Sequence, residues 1–139
     1  MTSRTARTKD EQGAVIVEFA AIFVVFAMLL WGLISYGVVF AVQQTLSHAA
    51  ADATRATVGF SDPDAATANA QLILDEQLSW LPESAVDTQV IIDDCPGDQA
   101  PECATVIATY RWGERPIVPS ILDVATPASI SGRAVAQFR

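Results

Sequence analysis

Gly13 and Glu18 stand five positions apart at the start of a long uncharged stretch: from Phe19 to Ala51, 33 consecutive residues include no Asp, Glu, Lys or Arg. Two chemistries suit that spacing. Glycine has no side chain, so its backbone can lie in a protease cleft without steric penalty. A carboxylate at the mouth of an apolar helix is costly unless it reaches water or meets a cation, and the helix macrodipole favours negative charge in the first turns. Glu18 therefore either snorkels to a membrane surface or meets a partner.

The remaining reactive groups are few. Cys95 and Cys103, the only cysteines, flank Pro-Gly-Asp-Gln-Ala-Pro-Glu. Placed at the ends of one hairpin loop in an oxidising compartment they are expected to pair, contributing roughly 2–3 kcal/mol by the chain-entropy account. Two free thiols are the competing reading; a metal site is weaker, because no His or further Cys lies nearby. Asp93, Asp94, Asp98 and Glu102 crowd the same loop. Their oxygens suit calcium, but the spacing matches no known calcium loop, and a solvated acidic tip is the simpler reading. His48 is the single histidine and falls on the polar side of a helix, unlike a catalytic base. With no Gly-rich phosphate loop, no cofactor motif and no metal-ligand cluster, an enzyme is not expected.

What positions these groups is first a membrane segment. Phe19 to Val42 is interrupted only by Ser35 and Tyr36, with Gly32 and Gly37. As a helix it reaches roughly 36 Å, against a hydrocarbon core of about 30 Å. A buried core helix would need cover on all sides, which the 97 residues after it could not supply. Arg4, Arg7 and Lys9 precede the run, and the first basic residue after it is Arg55. Basic residues stay in the cytoplasm, so the amino terminus is expected inside and the rest outside. Ala49-Ala50-Ala51 has the form of a signal-peptidase site, but signal h-regions span only about 7–15 residues and the pattern lies well beyond the run. The 139 residues carry 16 acidic and 8 basic side chains, net −8, which argues against a nucleic-acid partner.

The order of basic segment, Gly13, Ala14-Val15-Ile16-Val17, Glu18-Phe19 and apolar run resembles the processing site of class b type IV pilins and pseudopilins. With the continuation through Gly32-Leu33-Ile34-Ser35-Tyr36-Gly37 to Gln43-Gln44-Thr45-Leu46-Ser47-His48-Ala49-Ala50, residues 10–57 resemble the TadE-like family of tight-adherence (Tad, Flp-type) pilus systems. The resemblance implies a minor pilin or pseudopilin, cut between Gly13 and Ala14 by a membrane-embedded prepilin peptidase. Glu18 would become the fifth residue of the mature chain, beside Phe19, and would set register against the new amino group of a neighbour. Implied partners are the peptidase, the major Flp-type pilin, a sister pseudopilin and the inner-membrane assembly platform, with cell adhesion as the output. Two departures stand out: many relatives carry a proline where this chain reads Ile22-Phe23-Val24-Val25-Phe26, and an acidic residue where it reads Ser35-Tyr36-Gly37. The first implies a straighter helix and the second one contact fewer. The alternative is a single-pass protein whose unprocessed outer domain binds a partner.

The predicted architecture is α+β and pilin-like: a leader at 1–13, a membrane and stalk helix over 14–57, and an outer head over 58–139. Val42, Leu46, Ala49, Ala50, Ala53 and Ala56 make one apolar stripe on the stalk, and Gly59 ends it. Ser61 or Asp62 caps a second helix with Pro63 at its first position, ending near Trp80, with Ala66, Ala70, Ile73, Leu74, Gln77 and Leu81 inward and Gln77 the one mismatch. After Pro82 the period becomes two. Strands are expected over 86–93 (Val86, Thr88, Val90 and Ile92 inward), 104–112 (Val106, Ala108, Tyr110 and Trp112) and 128–138 (Ile130, Gly132, Ala134, Ala136 and Phe138). Ile121-Leu122 would plug the sheet's end.

Overall fold

The computed structural model describes residues 7–95, 102–119 and 126–137. Its elements are α1 (Arg7–Thr57), α2 (Pro63–Leu78), a single 3-10 turn (Glu83–Ala85), β1 (Val86–Asp94), β2 (Glu102–Tyr110) and β3 (Ile130–Gln137). This is the expected α+β arrangement of a long apolar helix, a second helix and a three-stranded antiparallel sheet. α1 starts earlier than the sequence pattern indicates, because Arg7-Thr8-Lys9-Asp10-Glu11-Gln12 contains no helix breaker. By compactness the chain divides inside α1, into Met1–Gly37 and Val38–Arg139.

In the first unit the large apolar side chains point outward. Leu29 and Leu33 are 70% and 72% exposed, and Phe19, Phe23 and Phe26 are exposed as well. The helix containing Gly13–Thr57 is long and apolar enough to cross a membrane. The sequence run ends at Val42, yet Val39 and Val42 are buried in the second unit. The part of α1 left to lipid, Phe19 to Gly37, is roughly 28 Å long, still close to the hydrocarbon thickness.

The second unit is a helical pair on a sheet. Val42, Leu46, Ala49, Ala50 and Ala53 of the expected stripe are fully buried, whereas Ala56 is only half-buried. Thr54 and Thr57 are buried beside them, because their hydroxyls donate to the helix's own carbonyls at Ala50 and Thr54. Gly59, at φ 105°, adopts the left-handed conformation that turns the chain out of α1. Asp62 then caps α2, its carboxylate accepting from the amides of Asp64 and Ala65. α2 runs antiparallel to α1: Asn69 donates to the Ala56 carbonyl, and Gln77, two turns on, donates to Asp52. That second bond explains the polar mismatch at Gln77. α2 ends at Leu78, which is buried in the helix, while Leu81 is buried just beyond it.

The sheet order is β1-β2-β3. Val86 pairs with Tyr110 and Tyr110 with Ile130 at one end; Asp93 pairs with Cys103 and Cys103 with Gln137 at the other. Ala104, Val106, Ala108 and Tyr110 of the central strand face inward and are fully buried. β2 begins two residues before the expected start because Glu102 and Cys103 continue the ladder opposite Asp94 and Asp93. Trp112 lies beyond the strand but remains buried, edge-on to Tyr110. β3 occupies residues 130–137; Asp98, Ile121, Leu122 and Phe138 lie outside the described residues. At Gly132 the sheet lies close against α1: a Cβ there would overlap the backbone of Leu46 and Ser47.

Both ends of this unit can be named from these contacts. The start of α2 meets Ile92 and Ala104 through Ala66, whereas its end lines a cleft with Val86 and Thr88 through Leu74 and Leu78. β1 and β3 therefore run in the same direction as α1, with Val86 and Ile130 toward its Val38 end and the Cys95–Cys103 bridge toward its Thr57 end. Tyr110 belongs to the Val38 end; its hydroxyl donates to the Arg115 carbonyl at 2.6 Å. Burial pushes the Tyr110 phenol up, opposed by the Arg115 charge.

Candidate processing and assembly site

Gly13, Ala14, Glu18 and Phe19 all lie on α1 within the first unit, and all are exposed. Gly13 is helical, with nothing within 4 Å of where a Cβ would be. No tertiary contact therefore demands glycine at this position, and glycine costs a helix about 1 kcal/mol relative to alanine. It lowers the cost of drawing the Gly13–Ala14 peptide out of the helix, as extension into a protease cleft requires.

Glu18 has no ion-pair partner among the described residues. Its position on the helix is informative. Ala21, Ile22, Val25 and Leu29 follow at steps of three, four, seven and eleven, so they share its face, and with Phe26 they line an apolar groove along α1. Ala21 is the small residue that opens this notch one turn after the carboxylate. The sequence signal for it was present as an alanine three residues after Glu18. Phe19 stacks on Phe23 with ring centroids 6.0 Å apart, on the adjoining face. One helix face thus offers a carboxylate followed by a shallow apolar channel. Such a face can receive a second helix by shape while its acid takes a hydrogen-bond donor or a cation.

Cys95 and Cys103 lie in the other unit. They are joined as a disulfide with Cα atoms 4.9 Å apart, closing the β1–β2 hairpin. Asp93, Asp94 and Glu102 sit at that hairpin's end, and among the described residues no group of three or more His, Cys, Asp or Glu is placed to hold a metal. His48 is hydrogen-bonded to Gln44 one turn earlier on α1.

No curated protein and no solved structure matches the chain. Residues 13–55 match the family model described as TadE-like protein. The match opens at Gly13, takes in Glu18 and its groove, and ends within the buried stripe of α1, nearly the span over which the sequence resemblance was read. The matched stretch, about a third of the chain, is similar to that family.

Proposed function

We propose that the protein is a minor pilin or pseudopilin of a tight-adherence pilus system, structural rather than catalytic. Its basic amino terminus stays in the cytoplasm and its head lies outside. A prepilin peptidase removes the leader between Gly13 and Ala14, taking three basic and two acidic residues and moving the net charge from −8 to −9. The mature helix then leaves lipid for a bundle of like helices, where Glu18 takes the free amine of a neighbour and fixes axial register. The major Flp-type pilin, a sister pseudopilin and the inner-membrane platform are the partners this role requires.

The observation that carries the proposal is the TadE-like match beginning at Gly13, on a helix whose exposed face runs from Glu18 into an apolar groove. Lipid and a neighbouring helix are nearly equivalent apolar surroundings, so association must come from close packing and from satisfying the acid. Co-expression with a cognate prepilin peptidase is expected to convert the chain to the mass of Ala14–Arg139, and Gly13→Ile to block that conversion. Glu18→Gln is expected to prevent incorporation into filaments. An intact chain beside an active peptidase would favour the unprocessed single-pass receptor instead.

A further inference from the structure

Both helices of the head pack on one face of its sheet: Gly132 lies against Leu46 of α1, and Gln71 of α2 donates to Thr88. The odd-numbered residues of the strands point the other way. Along β1 and β3 every one of them is exposed, and those of β2 between them are half-buried. The strand pairings set them in rows: Asp87–Thr109–Ser131, Gln89–Ile107–Arg133 and Ile91–Thr105–Val135, with Asp93 in the row beyond. Ile91 is 39% and Val135 49% exposed, with Ile107 between them on the central strand. The charges on this face are divided. Its two carboxylates, Asp87 and Asp93, stand on β1, and its one cation, Arg133, stands on β3. None of the three has an ion-pair partner among the described residues, whereas Arg111, just past β2, is paired with Glu114.

We infer that this open face docks a second copy of the chain, sheet on sheet, about a two-fold axis parallel to the strands. Such an axis lays β1 of one copy over β3 of the other and keeps each row at its own level. Ile91 then covers Val135 of the second copy, and the two Ile107 side chains meet on the axis. Arg133 comes to rest one pleat repeat, about 7 Å along the strand, from Asp87 of the second copy, within reach of its long side chain. A two-fold axis across the strands does the reverse: β1 lies over β1, and Asp87 of each copy meets Asp93 of the other. Charge therefore selects the first axis, and the patch that results is complementary to itself. The same axis leaves the head portion of α1 pointing the same way in both copies, because β1 and β3 run in its direction. The area sets where pairing occurs. Three strands of this length cover roughly 400 Å², about half of the 800 Å² or so that each partner gives to a stable interface. Pairing is therefore weak in dilute solution and forms where copies are crowded, as chains sharing one membrane are.

The test uses the purified full chain in phosphatidylcholine vesicles, with Thr105→Cys on the axis and a short bis-maleimide as the probe. Cys95 and Cys103 are bonded to each other and do not react. A covalent dimer is expected, its yield rising as the ratio of protein to lipid is raised. Leu72→Cys, at an exposed position on α2, is expected to link far less. In the Thr105→Cys chain, Arg133→Glu and Asp87→Arg are each expected to lower the dimer yield about tenfold, because each change is met twice across the axis. The two reversals together are expected to restore it. Val135→Lys, at another exposed position, is expected to lower the yield with no rescue by either reversal. No dimer, equal linking at Leu72, a yield indifferent to both reversals, or reversals that do not rescue each other would overturn the docking face. The experiment needs neither a peptidase nor a filament, so its failure leaves processing at Gly13 untouched.

Discussion

Leu33 and Leu46 are thirteen residues apart on one helix, yet Leu33 is 72% exposed and Leu46 fully buried. The two units of the chain treat the same side chains in opposite ways. Before Gly37, Val, Leu and Phe cover every side of α1 and face outward; after it, apart from the exposed Phe40, the large apolar residues of α1 keep to one stripe while Gln43, Gln44 and Asp52 take other faces. The difference teaches that apolar content marks where water is excluded without saying what excludes it. Periodicity supplies that second piece. A helix apolar all round asks for lipid or like helices, and a one-sided helix asks for a sheet.

The strongest way to break this contrast is at Gly132. A valine there has no space against the Leu46–Ser47 backbone, and the head is expected to lose about 3 kcal/mol or more, read as a lower unfolding midpoint of the full chain in detergent by near-ultraviolet circular dichroism of Tyr110 and Trp112. Next comes a matched pair on α1. Leu46→Ala should cost the head about 3 kcal/mol, whereas Leu33→Ala should leave the same transition unmoved; equal effects would erase the distinction between the units. The smallest effect is expected from reducing Cys95–Cys103, roughly 2–3 kcal/mol, again confined to the head's transition and absent from any measure of membrane retention.

Much of this arrangement was legible in the sequence because several local signals agreed. Asp62 with Pro63 marked the start of α2, Gly59 the end of α1, and alternation from Val86 onward the strand and its inward face. Other features had no local signal. Thr54 and Thr57 read as polar, and only their bonds to helix carbonyls make them core residues. Val39 read as membrane, and Val42 as both the end of the membrane run and the start of the stripe, because a protein interior and a bilayer accept the same side chains. Leu81 is buried as expected although α2 stops before it, and Leu78, buried at the helix's end, was not singled out. At the candidate site, Gly13, Glu18 and Phe19 were readable as a spaced pattern, while the Ala21 groove became apparent only once the helix placed it on the face of Glu18.

The missing side chain at Gly132 also acts as a key. Sliding β3 by one residue against α1 would bring Ser131 or Arg133 to that point and turn the whole strand inside out. Sliding it by two keeps the correct face but presents the side chain of Ile130 or Ala134 where only hydrogen fits. The sheet therefore has one seat on the helix, and every strand hydrogen-bonded to β3 inherits that alignment.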